Sequence, residues 1–422
     1  MTSSRKYFNL AILAFGGAMI YLLPYLRYVL YAPLQEALNL SHGQFGLTMS
    51  AFGLCATLTY WPGGWLADRV SPRKLLTFSY LSTGLLGFWL ASYPPYWACI
   101  VIHGFWGIST SLTFWAAMIR ATKDLAASDE QGRFFGLLES GRGLFATGST
   151  FFVVWLFGLF GVPSLGLYWS ILFLSGAAVL AGLLTWLAFK DPAELIPGES
   201  ILKDIGETVK SPMVWGLAVI IFTAYVARIL GSFMTPYLTD VMLVSVASAG
   251  LLATTWNYAG QFVGGPAGGL LADKINSRPL VVVGGFLLMF LGFAGLRGIP
   301  AAPAQATLSV AFIILMFLSM YVVRGVYFAL LDDMRVPAKI SGAAIGLASL
   351  VGFTPETFVY SWAGGILDRA KEAGDLAAGY QTLFVAGMGA TALGLLTATL
   401  LLIKIRSLKA SAAGLAATRA LA

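Results

Sequence analysis

Charge is scarce in this chain of 422 residues: Asp, Glu, Lys and Arg make up 11% of it, whereas 58% is hydrophobic. So little polar surface excludes a soluble protein of this length. Cysteine occurs twice, at Cys55 and Cys99, both within apolar runs, which excludes a disulfide scaffold and leaves two small interior residues. Strict apolar/polar alternation over ten-residue segments is missing, which excludes a transmembrane β-barrel. A phosphate-cradling Walker loop, a cluster with metal-ligand spacing and a Ser/His/Asp order are also missing, so ATP-driven pumping and hydrolysis have no support. No catalytic residue, metal or cofactor is assigned, and the chain is not expected to be an enzyme.

What the chain does have is a succession of apolar runs, commonly eighteen residues or longer, which is the length that crosses a hydrocarbon core of about 30 Å as a helix. Twelve spans are predicted, at about 8–32, 44–66, 74–93, 96–119, 134–158, 165–189, 212–239, 246–271, 279–297, 305–331, 341–366 and 380–404. The basic start "MTSSRK" leads into an apolar stretch too long for a signal peptide and without a small-residue cleavage site, so it is read as the first span. The connections are short except "KDPAELIPGESILKDIGETVKSP", which divides six spans from six. The expected division is a first bundle at 1–189, a linker at 190–211, a second bundle at 212–404 and a tail at 405–422. The fold class is an all-α membrane protein of twelve transmembrane helices in two pseudo-symmetric six-helix bundles.

Lys and Arg stay on the cytoplasmic side of short loops. Of the 26 Lys and Arg residues, nineteen fall on the side that holds the termini and three, Arg297, Arg369 and Lys371, on the other. Both termini are therefore expected to be cytoplasmic. The net charge of +7 is accounted for by topology and needs no nucleic-acid partner.

The remaining four, Arg27, Arg142, Arg228 and Arg324, fall inside spans. An arginine at the bilayer centre costs about 3 kcal/mol on insertion scales, so these side chains should face protein or a water-filled cavity. Tyr21, Tyr25, Tyr28 and Tyr31 recur on a face with Arg27; Tyr225 and Ser232 sit one turn either side of Arg228, and Tyr321 and Phe328 flank Arg324. Aromatic and hydroxyl groups beside a fixed cation suit an anion. A structural ion pair is the alternative for any one arginine, and Glu139, one turn before Arg142, is placed to neutralise it. Glu356, mid-span in "GFTPETF", either pairs with an arginine or carries a proton. Asp332 and Asp333 read as gate or cap residues. Trp256, Asn257 and Gln261 on the eighth span could contact a polar substrate or bridge helices, and His103 could relay protons or be a satisfied interior residue.

One phrase is written twice: "GGWLADRVSPRK" closes the second span and "GGLLADKINSRP" the eighth. It resembles the signature loop of the major facilitator superfamily, with Gly64, Asp68, Arg69 and Arg73 in the first copy and Asp273 in the second, and a weaker echo, "GGILDR", lies at 364–369. The glycines would let helices approach closely, and the acids would pair with bases across the cytoplasmic seam as a conformational gate. A finer resemblance, carried by "YLLPYLRYVLYAPLQEALNLSHGQFG" and "FTAYVARILGSFMTPYLTD", is to the organophosphate:inorganic-phosphate antiporters. It implies that Arg27 and Arg228, one per half, clamp an anion near the midplane. Arg142 stands where that family has a histidine, and Arg324 and Glu356 have no named counterpart there.

The reading is a secondary transporter of the inner membrane, acting as a monomer in lipid. It would move a small organic anion (phosphate ester, sugar acid, sulfonate or carboxylate) by alternating access. Substrate contacts are expected from Arg27, Arg228, Arg324, Arg142, Tyr28, Tyr225, Trp256, Asn257 and Gln261, with Glu356 and Glu139 as candidates for coupling to protons. Protons or a counter-anion would energise it; the resemblance implies that proton-coupled relatives carry an acid in the first or fourth span, and its lack mid-span in either here inclines the expectation toward exchange or uniport. The alternatives are a proton-coupled symporter, an exporter of bulky amphipathic compounds and a sensor that binds without transporting.

Overall fold

The computed structural model describes residues 3–67, 69–125, 131–190, 208–334 and 338–421. Its helices are grouped here as twelve spans. In the first half these are α1 (Ser3–Leu22, a turn of 3₁₀ helix at Leu26–Tyr28, then Tyr31–Ala37), α2 (His42–Ala67), α3 (Pro72–Ala91), α4 (Tyr96–Ile108, a π-helical Ser109–Trp115, then Ala116–Leu125), α5 (Gln131–Gly158) and α6 (Pro163–Ala188). The second half holds α7 (Pro212–Gly231, then Met234–Asp240), α8 (Val246–Thr254, a π-helical Thr255–Ala259, then Gly260–Ile275), α9 (Arg278–Gly298), α10 (Ala306–Val326, then Leu330–Asp333), α11 (Ala338–Gly352, a 3₁₀ turn at Thr354–Thr357, then Val359–Glu372) and α12 (Leu376–Leu421). Most of the predicted linker lies outside the described residues, and the segment predicted as a tail continues α12 as helix.

The predicted spans miss one feature: α1 and α7 each break between a piece of 20 residues and one of 7, toward the face remote from the chain termini, and α11 breaks near its middle. Proline is the cause. Pro33 and Pro236 sit early in the second pieces of α1 and α7, where they cannot donate to Val29 and Ser232, and Pro355 opens the 3₁₀ turn of α11. The breaks matter because Arg27, Arg228 and Glu356 lie on or beside them.

Large apolar side chains such as Leu187, Leu243 and Leu270 point outward, as expected of a surface that meets lipid. Inside, one buried cluster runs through both halves and joins Tyr28, Tyr31, Phe45 and Phe52 to Phe233 and Tyr360. A second, around Leu13, Leu76, Tyr80, Phe114 and Phe134, belongs to the first half alone.

The halves are joined on the face remote from the chain termini, called distal below. Asp368 near the end of α11 accepts hydrogen bonds from Ser41 Oγ (2.6 Å) and from the backbone N–H groups of His42 and Gly43 (2.7 Å each). Its carboxylate thus caps the N-terminus of α2 from the opposite half. Further along the seam Ser50 donates to Ser361 (3.2 Å) and Thr235 to the Tyr28 carbonyl (2.7 Å). The backbones of α2 and α11 meet through glycine: a Cβ on Gly46 would run into the Tyr360 carbonyl, and one on Gly364 into that of His42.

The repeated phrase has an equally concrete basis. A Cβ on Gly63 would strike the Ser111 carbonyl on α4, and one on Gly268 would strike that of Val322 on α10, so the first glycine of each pair holds its helix against a neighbour in the same half. The second of each pair, Gly64 or Gly269, looks into open space.

Candidate functional site

Arg27 lies on the 3₁₀ turn of α1 and is completely buried. Four rings surround its guanidinium, from both halves: Phe45 at 4.4 Å, Tyr31 at 5.0 Å, Tyr360 at 5.1 Å and Phe233 at 5.4 Å from centroid to Cζ. Nη1 donates to the Phe45 carbonyl (2.8 Å), whereas Nε and Nη2 have no hydrogen-bond partner among the described residues. Each buried donor left unmade costs about 1–3 kcal/mol, and the ring contacts, on the order of 2 kcal/mol when desolvated, offset part of it.

Arg228, near the end of the first piece of α7, has a similar surround in different company. Its Cζ lies 5.2 Å from the Tyr25 ring, 5.3 Å from Tyr28 and 5.4 Å from Tyr225. It also has a carboxylate: Nη1 is 3.3 Å from Oε1 of Glu356, and that same oxygen accepts from the Tyr25 hydroxyl at 2.9 Å. The two cages are joined, since the Tyr28 and Tyr360 hydroxyls hydrogen-bond at 2.6 Å. One ring of that pair faces Arg228 and the other Arg27.

Arg324 on α10 completes the centre. Its guanidinium interacts with Tyr225, Tyr321 and Tyr327, and its charge acts on both Arg228 and Glu356. Arg228 and Arg324 therefore share one carboxylate, while Arg27 makes no ion pair among the described residues. Membrane-buried charge needs compensation, and here the sum is positive.

The other predicted residues are placed elsewhere or in other roles. Arg142 is held within its own half, ion-paired to Glu139 at 2.6 Å, donating to the Gly17 carbonyl at 3.2 Å and lying 5.7 Å from the Tyr21 and Trp115 rings. Trp256 stacks on Phe317 of α10 at 5.8 Å and is 2% exposed, and the Asn257 amide donates back to the Ala253 carbonyl at 3.0 Å. Both lie within the π-helical turn at Thr255–Ala259. Gln261 follows that turn and is half-buried. His103 is buried, hydrogen-bonded to the Cys99 carbonyl at 2.8 Å and set edge-on to Trp106.

Of the predicted gate residues, Asp68 lies outside the described residues and Asp273 is exposed. Arg69 lies over the Trp65 ring at 4.4 Å, Arg73 over Trp186 at 4.0 Å, and Arg278 reaches Asp332 at 3.3 Å and Asp333 at 3.8 Å. Sequence reasoning missed Tyr360 and Asp368. The signal for Asp368 was the "GGILDR" echo: it ends on an acid at a span terminus, as the repeated phrase does.

Two pseudo-symmetric halves of six spans, with matching breaks in the first and seventh, define the class of helical membrane transport proteins. The Major Facilitator Superfamily profile matches residues 10–355, and the chain belongs to that superfamily. It is an integral membrane protein and a transporter, not an enzyme. Among relatives, it is 30% identical to Inner membrane protein YqcE of Escherichia coli K12 over 96% of both chains. It is 28% identical to Inner membrane protein YihN of the same organism, over 87% of this chain and 89% of that one. Identity is 24% to Probable anion transporter 7 of Oryza sativa subsp. japonica, over 81% of this chain and 83% of the relative. A solved bacterial homolog of the human lysosomal transporter Spinster, inward-facing and unoccupied, superposes with a TM-score of 0.76 at 15% identity, covering 96% of this chain and 99% of that one. At that identity the likeness concerns the fold.

Proposed function

We propose that the protein carries a small organic anion across the inner membrane, binding it between Arg27 and Arg228 and exposing it alternately to the two sides. The observation that carries this reading is Arg27: a fully buried guanidinium with two nitrogens unpartnered and no carboxylate in ion-pair contact among the described residues. A guanidinium fork matches the oxygens of a carboxylate, sulfonate or phosphate, and its charge does not vary with pH. An anion bridging to Arg228 would use those donors and neutralise part of the excess charge. Similarity to a probable anion transporter supports the same substrate class.

The molecule works in this reading as a monomer with both termini cytoplasmic, its halves at 1–189 and 212–404 rocking about the bound anion. Arg324 supplies long-range attraction, while Arg142 serves the first half as a structural ion pair.

The test is thermal stabilisation of the detergent-purified protein by phosphate esters, sugar acids, sulfonates, carboxylates and neutral sugars, beside the Arg27→Ala and Arg228→Ala variants. A ligand at a hundred times its dissociation constant stabilises by about 2.7 kcal/mol. One anion class should raise the melting temperature of the wild type and of neither variant. No stabilisation by any anion of the panel, or anion stabilisation that survives both substitutions, contradicts the proposal and favours an exporter of bulky amphipathic compounds.

A further inference from the structure

We infer that Glu356 is an internal counter-anion that competes with the transported anion for Arg228, so that each anion bound takes up one proton. The inference rests on the anion reading above and fixes how such transport is energised.

An anion that binds Arg228 meets a carboxylate already beside that guanidinium. Glu356 Oε1 stands 3.3 Å from Arg228 Nη1 and is steadied by the Tyr25 hydroxyl at 2.9 Å. A substrate oxyanion bound to the same guanidinium would be a second negative charge within a few ångströms of the first, in a site walled by rings. Like charges at that distance cannot both remain ionised cheaply. The carboxylate resolves the conflict by accepting a proton: neutral Glu356 keeps its place, and the guanidinium is released to the incoming anion. The Glu356 side chain is 10% exposed and that of Arg228 14%, whereas Arg27 is fully buried.

The groups facing Glu356 are few. Tyr21, Tyr25 and Tyr28 come from α1, Tyr225 and Arg228 from α7, Arg324 from α10 and Tyr360 from α11 itself, while α2 presents the backbone at Gly53. The arginines remain charged and the tyrosines neutral across the physiological range, leaving the carboxylate as the group that titrates. The proton comes from water at the open side and rests on a Glu356 carboxyl oxygen. It leaves when the anion departs and Arg228 reclaims the carboxylate. For a monovalent anion the cycle is electroneutral and is driven by a pH gradient without a membrane potential.

Linkage fixes the sign. If binding takes up a proton, affinity rises as pH falls, by up to about tenfold per unit. The probes are 2-hydroxyethanesulfonate and gluconate, which do not themselves titrate near neutrality. Calorimetry of wild-type protein in two buffers of different ionisation enthalpy should show close to one proton taken up per anion. Glu356→Gln should bind the same probe without proton uptake and with no dependence on pH; in proteoliposomes it should exchange the anion but fail to accumulate it against a gradient. Tyr25→Phe, which removes only the bond that steadies the ionised form, should move the pH dependence to higher pH and serves if the glutamine variant does not fold. Wild-type binding without proton uptake, or uptake that persists in Glu356→Gln, overturns the inference and leaves the anion reading standing. If neither probe nor any anion of the panel binds, the anion reading falls and this inference with it.

Discussion

At the scale of single residues, the two arginines on which the reading turns are not equivalent. Arg27 has rings from both halves and free donors, whereas Arg228 has rings and a carboxylate. Replacing Arg27 by Lys keeps the charge but not the fork, and losing a buried charged hydrogen bond costs roughly 2–5 kcal/mol. Anion affinity should therefore fall by about 30-fold or more in Arg27→Lys, with expression and detergent stability retained; radiolabelled anion binding checks this. Arg142 gives the contrast. Its partners are Glu139 and Gly17, so Arg142→Ala should lower the melting temperature while the protein keeps its response to anion, and an unchanged stability with lost binding would contradict its structural role. Much of this was legible early, because an arginine in an apolar run is conspicuous and its aromatic neighbours follow the helical period. The carboxylate that belongs to each arginine was not. Glu139 was assigned to Arg142 by its spacing of three, a local relation; the pairing of Glu356 with Arg228 spans 128 residues and depends on breaks in two helices.

Elements carry the next set of expectations. Asp368 caps α2 from α11 with three short hydrogen bonds, and a capping interaction contributes on the order of 0.5–2 kcal/mol. Asp368→Asn weakens the distal seal, so the population opened at that face should rise about 2- to 30-fold, read by the labelling rate of a cysteine placed at Ser361. A bulky residue at Gly46 acts at the same seam by sterics, since its Cβ would meet the Tyr360 carbonyl. Gly46→Val should leave the fold intact and abolish distal closure, measured by spin-label distances between α1 and α7. Here the sequence was informative about why glycine recurs and silent about which helix each glycine meets. The "GG" phrase points to close approach, but partner and side are properties of the assembled bundle. The π-helical turns of α4 and α8 left no mark in the hydrophobic pattern, and Trp256 and Asn257 lie within the second.

For the whole molecule, twelve spans follow from apolar run lengths, with most boundaries close to the helix ends, because hydrocarbon thickness sets the length of the apolar run; the last helix runs on past 404 to Leu421, where polar residues no longer mark a span. The breaks were invisible to that criterion, since a broken helix of the same composition has the same hydropathy. Charge asymmetry supplies the topological expectation: a tag at either end should be cleaved by protease in inside-out vesicles and protected in right-side-out ones.

The α2–α11 seam, where Gly46 and Gly364 set one backbone against another, has a practical corollary. Where main chain meets main chain there is no room for a larger side chain, so selection for heat tolerance will find its gains in the packed interiors of the halves. Substitutions that arrest the carrier in one posture will collect along the seam, and a mutational survey scored for both properties would separate into two nearly disjoint sets of positions.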